Sequence, residues 1–515
     1  MIAPIRNHSW LSSFLLCLIS IVLTAVSFPK INLSPLIWFA LVPWLLAMDG
    51  KSARQAFVWS YLVGFGFFGV TLYWIKFVTL GGTIALVAYL SLYFGFFGYF
   101  YAQFSNQNIG RKIIFYSSTW VVLEFIRGHL LSGFGWAALG HCQYENLALI
   151  QIVDTTGVYG ISFLIVAVNV LIKENLCWVF SKENVVSKET LISANAAVLV
   201  VLLALYGYGL WQLRQPQPAK HVRIGVVQGN IPQNEKWLEE NRQATIEKYL
   251  KLSKAALSEN PEIIVWPETA FPGLIQEMPQ LMEDVREFSR RENIPLLLGV
   301  VSQQKDDYYN SALLIMPDGD MNQRYDKLRL VPFGEFLPLR KQFPFLADFI
   351  PIEDFSFGKV PKVFWLSPQG ENLFFSVPIC FEDTISEVVR SFVQRGAQLV
   401  INITNDAWFQ DTKEPFMHLQ NAVFRSIETR RAMVRCANTG ISCLIDPYGR
   451  IMRYVQNAHG KKTYVDGAAV FSVPIENAST FYTKSGDVFT SLCFVCILWQ
   501  VFAVKRSERR RQENT

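Results

Sequence analysis

The pattern of apolar and polar positions divides the chain into three parts. Up to Leu213, long runs without Lys, Arg, Asp or Glu follow one another. From Arg214 to Lys484, apolar and polar residues mix as in a water-soluble protein, and one last apolar run covers residues 488–504. We therefore expect a membrane domain, a soluble domain and a final membrane helix with a basic tail, with the bounds 1–214, 215–484 and 485–515.

Eight apolar segments predict eight transmembrane helices, because a helix needs about 20 mostly apolar residues to cross a bilayer. They cover residues 7–29, 33–48, 56–75, 84–104, 113–132, 156–172, 191–210 and 488–504. The first could instead be a cleaved signal peptide, since Ala25-Val26-Ser27 resembles a cleavage site. A second apolar run follows almost at once, so we favour an uncleaved span. Residues 128–146 are too polar to span and predict a re-entrant or surface segment.

Basic residues at alternate ends of these segments predict the topology. The segment ends that are richer in Lys and Arg hold Arg6, Lys51, Arg54, Arg111, Lys112, Lys173, Lys182, Lys188 and the cluster at 505–511. Loops rich in Lys and Arg stay in the cytoplasm. Seven spans that start inside place the soluble domain outside the cytoplasm, and the eighth span returns the tail to it.

The soluble part alternates between strand and helix patterns, which favours an α/β sandwich. Predicted strands are 222–228, 263–266, 295–301, 309–316, 373–379, 398–403, 434–437 and 440–446. Predicted helices are 241–257, 279–292 and 416–432. The stretch is long enough for one well-filled core.

Composition supports the membrane part and removes other classes of function. The chain of 515 residues is 51% hydrophobic and only 17% charged, whereas soluble domains carry about 25% charged residues. The net charge of +5 does not indicate nucleic acid, because many basic residues flank apolar segments. The eight cysteines form no cluster with zinc-site spacing, so no metal is expected. Cys436 and Cys443 could pair in an oxidising compartment, and the sequence leaves this open.

Three residues at predicted strand ends have the chemistry of acyl transfer: Glu268, Lys327 and Cys380. Cys380 ends an apolar strand and precedes an amphipathic helix, whose N-terminus would favour the reactive thiolate. A shielded carboxylate such as Glu268 can serve as the base. Lys327 can stabilise the negative oxygen that forms on a carbonyl. Each residue alone also has a structural explanation, as a surface Glu, a solvated Lys and a core Cys.

Other side chains could support this set. Glu335 and Glu382 are placed to orient Lys327 or to carry protons. A Cys–His pair is possible but poorly supported, because no His of the soluble part lies at a predicted catalytic strand end. Glu124 and Arg127 lie three apart on one helix face. They are either a self-neutralised pair or the site at which Arg127 meets a phosphate headgroup.

The order Glu, Lys, Cys resembles the nitrilase (carbon–nitrogen hydrolase) superfamily over residues 220–475. The motifs are Trp-Pro-Glu-Thr at 266–269, Lys-Leu-Arg-Leu-Val-Pro-Phe-Gly-Glu at 327–335, Cys-Phe-Glu at 380–382 and Asn-Asp-Ala-Trp-Phe at 405–409. With the membrane segments, the whole chain resembles the apolipoprotein N-acyltransferase family. Phe381 stands where many members have Tyr, so a phenol at this position is not essential here.

The resemblance implies an α-β-β-α sandwich and a ping-pong reaction without cofactor or metal. Cys380 would take an acyl chain from a membrane phospholipid, typically phosphatidylethanolamine, as a thioester. The α-amine of a diacylglyceryl-cysteine on an apolipoprotein would then receive it. The implied location is the bacterial inner membrane, with a periplasmic catalytic domain, a cytoplasmic tail and a monomeric protein working in the bilayer.

Aromatic residues in or beside predicted loops are candidates for the acyl-chain entrance. We expect some of Trp237, Phe357, Trp408 and Phe416 to form a lid, and we name Trp237, Phe381, Trp408 and Arg127 as substrate-binding. Packing inside the core is the alternative for each aromatic ring. Two other functions stay open at this stage: a membrane-tethered amidase for small amides or nitriles, and a membrane scaffold with an inactive domain.

Overall fold

The computed structural model describes residues 9–180, 187–216, 218–338, 340, 342 and 354–513. The chain forms two compact units. The first unit covers Met1–Lys76, Leu80–Arg214 and Ser485–Thr515, and the second covers Phe77–Thr79 and Gln215–Lys484. Arg6, Lys182 and the side chains of Lys505 and of residues 507–511, which contribute to the predicted topology, lie outside the described residues.

The first unit is helical. Its longer helices are Trp10–Val26, Ala53–Thr71, Leu80–Gln103, Ile109–His129, Val158–Phe180, Lys188–Leu213 and Val488–Glu513. Its shorter helices are Ile37–Ala40, Val42–Met48, Leu147–Ile150 and Val153–Thr156. Among the described residues, three helices are long and apolar enough to cross a membrane: Leu80–Gln103, Val158–Phe180 and Lys188–Leu213. The other predicted spans are not established by helix length and composition.

The second predicted span, residues 33–48, is not one continuous helix. It consists of a 3-10 turn at Ser34–Leu36 and two short helices, Ile37–Ala40 and Val42–Met48. Pro43 stands in the first turn of the later helix, where its missing N–H costs nothing, whereas within a longer helix it would remove a hydrogen bond.

Helices Ala53–Thr71 and Leu80–Gln103 of the first unit pack closely at Gly98. A Cβ added at Gly98 would lie 2.5 Å from the carbonyl oxygen of Ala56 and nearer still to the Ser60 hydroxyl. Small residues at helix contacts let backbones approach in this way. The segment 128–146, expected to be re-entrant or at the surface, contains a 3-10 turn at Leu139–Gln143 that is buried within the unit.

Within its described residues, the second unit has twelve strands in two six-stranded sheets. The strands are β1 (His221–Gln228), β2 (Ile263–Val265), β3 (Leu296–Gln304), β4 (Asp307–Ile315), β5 (Gln323–Asp326), β6 (Val363–Leu366), β7 (Leu373–Ser376), β8 (Leu399–Thr404), β9 (Met433–Ala437), β10 (Cys443–Ile445), β11 (Ile451–Tyr454) and β12 (Gly467–Pro474). The sheet orders are β12-β1-β2-β3-β4-β5 and β11-β10-β9-β8-β7-β6. The helices are Arg242–Ala256, Pro279–Arg291, Ser386–Gln394, Glu414–Thr429 and Phe481–Ser485. The predicted α/β domain is confirmed, with two sheets.

The two sheets share one apolar core. Leu297 of β3 belongs to this core with Phe375 of β7 and Ile401 of β8. Its neighbours Leu296 and Leu298 point to the other face and pack in a second cluster that includes helices Arg242–Ala256 and Pro279–Arg291. Because both faces of the sheet are covered, its inner strand β2 is apolar and buried along its whole length.

Parallel pairing brings the ends of several strands to one edge of each sheet. Strands β1, β2 and β3 run parallel in the first sheet, and β7, β8 and β9 run parallel in the second. Glu268 follows β2, Cys380 follows β7 and Asn405 follows β8. Ligands of α/β proteins bind outside such carboxyl ends.

Candidate active site

The ammonium group of Lys327 lies between two carboxylates. Its Nζ is 3.1 Å from Oε1 of Glu268 and 2.9 Å from Oε1 of Glu335. Lys327 follows β5 and is only 1% exposed. Burial lowers the pKa of Lys327, but the charges of Glu268 and Glu335 outweigh it and hold this pKa well above its usual value. Lys327 is therefore a fixed positive charge.

Glu268 is held at both carboxylate oxygens. Asn310 donates from Nδ2 to Oε1 of Glu268 at 2.7 Å and to Oε1 of Glu335 at 2.8 Å. The backbone N–H of Asn405 donates to Oε2 of Glu268 at 3.0 Å. The site thus brings together Glu268, Lys327 and Glu335, all predicted from the sequence. Asn310 was missed, although it is a polar residue within the buried strand β4.

Cys380 stands in a strained backbone conformation just after β7. Its φ is +54°, in the left-handed region that costs a residue with a side chain about 1–3 kcal/mol. Asn402 holds the turn by donating from Nδ2 to the carbonyl oxygen of Cys380 at 2.9 Å. Cys380 itself keeps part of its surface exposed. A rigid corner of this kind presents the sulfur to a substrate.

The expected thiolate is not favoured. Burial and then the charge of Glu268 raise the pKa of the Cys380 thiol well above its usual value, and Lys327 lowers it only in part. The α-helix expected beside Cys380 begins only at Ser386, after a 3-10 turn over Cys380–Thr384. The resting residue is therefore a thiol that needs a base.

Glu382 ties the Lys327 segment to the Cys380 corner. Its carboxylate accepts hydrogen bonds from the backbone N–H groups of Leu328 at 2.7 Å, Arg329 at 3.0 Å and Ile379 at 2.8 Å. The Tyr325 hydroxyl lies 2.9 Å from both carboxylate oxygens. Burial raises the pKa of Glu382 to about 7. These bonds fit a positioning role, and Tyr325 is a partner that the sequence did not single out.

A buried ionic network lies behind the corner. His418 Nε2 is 2.7 Å from Oδ1 of Asp383, and His418 Nδ1 is 3.3 Å from Oδ1 of Asp406. Arg435 pairs with the other oxygen of Asp383. Burial and then Arg435 oppose protonation of His418, but Asp383 and Asp406 outweigh them and raise its pKa to about 10.

Within the described residues, Asp406, Glu414 and His418 form a buried set whose spacing could hold a metal ion, with one ligand atom of each within 4.8 Å of the others. Burial raises the pKa of Glu414 well above its usual value, which favours its neutral form. His418 lies between Asp383 and Asp406, and Arg435 pairs with Asp383, so these side chains already contact one another. We therefore assign it to support of the Cys380 corner.

A second buried lysine belongs to the site and was missed by the sequence analysis. Lys236 donates from Nζ to the carbonyl oxygen of Glu268 at 3.2 Å and to the hydroxyl of Thr269. It is 2% exposed. Its only sequence signal is a charge directly before Trp237.

Three exposed aromatic rings lie on segments that carry site residues or pack against them. Trp237 is 43% exposed, Phe357 48% and Trp408 49%. Trp237 follows Lys236, and Trp408 follows Asn405 by three positions. The ring of Phe357 packs against that of Phe336, which follows Glu335, with the ring centroids 5.1 Å apart. These three rings are not core residues, and Phe416 is only partly buried.

The other two predicted substrate-binding residues, Phe381 and Arg127, belong to different units. The Phe381 ring lies 5.5 Å from the Lys327 ammonium, as a cation–π pair. Arg127 lies in the first unit, 2% exposed, where it donates to the Trp136 carbonyl oxygen at 2.7 Å.

Cys436 and Cys443 are free thiols.

Comparison with known proteins gives matches over both units. Residues 20–171 match the family described as apolipoprotein N-acyltransferase N-terminal domain, and residues 223–469 match carbon-nitrogen hydrolase. The chain is 35% identical to an apolipoprotein N-acyltransferase of Geobacter metallireducens, over 93% of each chain. It is 32% identical to that of Methylococcus capsulatus, over 79% of this chain and 80% of the relative. An amidase from Nesterenkonia sp. aligns structurally with a TM-score of 0.36 and 16% identity, covering 54% of this chain and 98% of that one.

Proposed function

The chain belongs to the apolipoprotein N-acyltransferase family, and from this premise we propose how its site performs acyl transfer. The enzyme moves an acyl chain from a phospholipid to a lipoprotein. The observation that carries the assignment of residues is the Lys327 ammonium shared by the Glu268 and Glu335 carboxylates, since the charges of Glu268 and Lys327 also act on the Cys380 thiol.

In the first half-reaction, Glu268 takes the proton of the Cys380 thiol as Sγ attacks the ester carbonyl of the phospholipid. Lys327 faces the oxyanion, where a fixed charge is most effective. The carbon–oxygen bond then breaks, and the proton passes from Glu268 to the departing alkoxide. Lysophospholipid leaves, and the acyl chain remains on Cys380 as a thioester.

In the second half-reaction, the neutral α-amine of a diacylglyceryl-cysteine attacks the thioester carbonyl. Glu268 takes a proton from the attacking nitrogen and returns it to the Cys380 sulfur as the carbon–sulfur bond breaks. Glu335 and Glu382 stay out of these transfers: Glu335 positions Lys327, and Glu382 positions the Cys380 corner.

The exposed rings favour lipid substrates over small amides. Trp237 and Trp408 are exposed on segments that carry Lys236 and Asn405, and Phe357 is exposed where it packs on Phe336, so these rings offer apolar surface for a lipid chain. We assign to them the acyl chains and the exclusion of water from the thioester. Phe381 packs beside the same charge and completes the acyl-binding wall.

The location and partners follow from the charge pattern and the reaction. We propose eight spans in the bacterial inner membrane, a periplasmic catalytic domain, a cytoplasmic tail and a monomer. Phosphatidylethanolamine is the proposed donor, and Arg127 is proposed to meet the lipid phosphate during entry. The Lys and Arg residues at alternate segment ends support this topology.

Turnover of two lipid substrates tests the function. Purified full-length protein in mixed micelles would receive phosphatidylethanolamine and a synthetic diacylglyceryl-cysteine peptide. We expect an N-acylated peptide and one lysophospholipid per product, with no product from a peptide whose amine is already acetylated. Release of free fatty acid with no acylated peptide would instead support a hydrolase.

A further inference from the structure

Lys236 is a buried ammonium that the two half-reactions leave unused. It follows β1 in the loop that presents Trp237, and it is 2% exposed. Burial lowers its pKa to about 8, while the charge of Glu268 favours its protonated form. A lysine is costly to bury, so its contacts need an explanation.

Lys236 donates to two acceptors that both belong to the segment carrying the proposed base. Lys236 donates to the main-chain oxygen of Glu268 at 3.2 Å and to the side chain of Thr269. Thr269 has a φ of +46°, a strained conformation for a β-branched residue. The segment also fits tightly, since a Cβ added at Gly299 would lie 2.4 Å from the Thr269 nitrogen. The turn that aims Glu268 therefore needs to be held, and Lys236 holds both residues of it.

The same loop also reaches the carboxylate of Glu268. Asn405 donates from Nδ2 to Oε1 of Gln233 at 2.9 Å, and the Asn405 backbone N–H holds Oε2 of Glu268 at 3.0 Å. One end of the loop is fixed where Ile231 donates to Asn438 at 2.9 Å. The loop is thus linked to the base by two routes, one to its main chain and one to its side chain.

We propose that Lys236 is a positioning residue that fixes the main chain of Glu268 and couples the base to the loop presenting Trp237. The inference rests on the proposed function, in which Glu268 is the base. When an acyl chain fills the entrance beside Trp237, it stabilises this loop. Lys236 in the loop then holds Glu268 in the orientation that faces the Cys380 thiol.

The test is the rate of thioester formation on Cys380, followed by quenching and intact-protein mass at increasing phosphatidylethanolamine. We expect Lys236→Met to form the thioester about a hundredfold more slowly, as for a misplaced catalytic group, with an unchanged half-saturating phospholipid concentration. Lys236→Arg keeps donors and restores most of the rate. Lys251→Met, at an exposed lysine of the same unit, is the matched control and keeps the wild-type rate.

A second variant keeps the inference falsifiable if Lys236→Met does not fold. Thr269→Val removes one acceptor and slows the reaction less than Lys236→Met, and the double variant shows less than the product of the two effects. A wild-type rate in Thr269→Val or Lys236→Met overturns the inference, as does a loss that appears only as a higher half-saturating concentration. Failure of the wild type to form any thioester overturns the proposed function itself.

Discussion

The Lys327 ammonium lies 3.1 Å from Oε1 of Glu268, although β2 and β5, which lead to these residues, lie at different places in the same sheet. The two side chains carry opposite charges and therefore act on a neighbouring thiol in opposite directions. Cys380 is influenced by the charges of both Glu268 and Lys327. Because the pKa of this thiol is raised, we propose that Glu268 removes its proton as Cys380 attacks.

Replacement of Lys327 should damage both activity and stability. Lys327→Met leaves Glu268 and Glu335 facing each other through Asn310, and breaking a buried ion pair at one partner costs about 3–5 kcal/mol. Loss of the oxyanion donor should slow acyl transfer by about 10²–10³-fold. Thermal unfolding and thioester formation measure the two effects, with exposed Lys254→Met as control. A wild-type rate in Lys327→Met would exclude it from catalysis.

Replacement of Glu382 should disturb the Cys380 corner. In the wild type, the Glu382 carboxylate accepts from the backbone N–H groups of Leu328, Arg329 and Ile379. The amide N–H₂ group of Glu382→Gln cannot accept from such donors, and an unsatisfied buried group costs about 1–3 kcal/mol. We expect slower thioester formation and a lower unfolding temperature. Glu371→Gln is the control, because its side chain is 69% exposed. Equal behaviour of the two variants would remove Glu382 from the positioning role.

The protonation of His418 should make stability depend on pH. Its pKa is raised from 6.5 to about 10 in the folded protein, so the folded state binds its proton more tightly than the unfolded state. This contribution is fully present below about pH 6.5 and is lost as pH rises through about 10. We expect the wild-type unfolding temperature to fall over this range more steeply than that of His418→Gln. Parallel curves would contradict a protonated His418.

Replacement of Trp408 should weaken use of long-chain lipid without impairing the chemistry. A Trp ring buries about 150–250 Å² when it docks, so Trp408→Ala should raise the half-saturating phospholipid concentration by about tenfold or more. The rate with a short water-soluble ester should not change. Trp365→Ala is the matched control, since Trp365 is 50% exposed on the edge strand β6. A shared loss on both esters would show that Trp408 has a catalytic or structural role instead.

The sequence predicts those parts of the site that a local pattern reveals. Glu268 and Cys380 each follow an apolar strand, so apolar runs that end in a polar residue mark them. Lys327 follows the polar strand β5 and is marked by the motif at 327–335. Asn310 lies within a strand, and its bond to Glu268 joins residues 42 positions apart, which no local pattern shows. Lys236 was missed for the same reason, since its acceptors are 32 and 33 positions away.

The fold shows the same division between local and distant signals. Strands β2, β3, β7 and β8 are continuous apolar runs and were predicted. Strand β5, with the sequence Gln-Arg-Tyr-Asp, and the edge strand β11 carry polar and charged residues and were not. The expected thiolate at Cys380 was wrong because burial and then the charge of Glu268 raise the thiol pKa, and the α-helix begins only at Ser386.

The most direct measurement of the central claim is the mass of Cys380 during one reaction cycle. Full-length protein is mixed with phosphatidylethanolamine alone, quenched and digested, and the mass of the peptide that contains Cys380 is measured by mass spectrometry. A diacylglyceryl-cysteine peptide is added to a second portion before quenching. We predict a thioester of one acyl chain on Cys380 in the first portion, its transfer to the peptide amine in the second, and neither product from Cys380→Ala. An unmodified Cys380 in a preparation that still acylates the peptide would contradict the account.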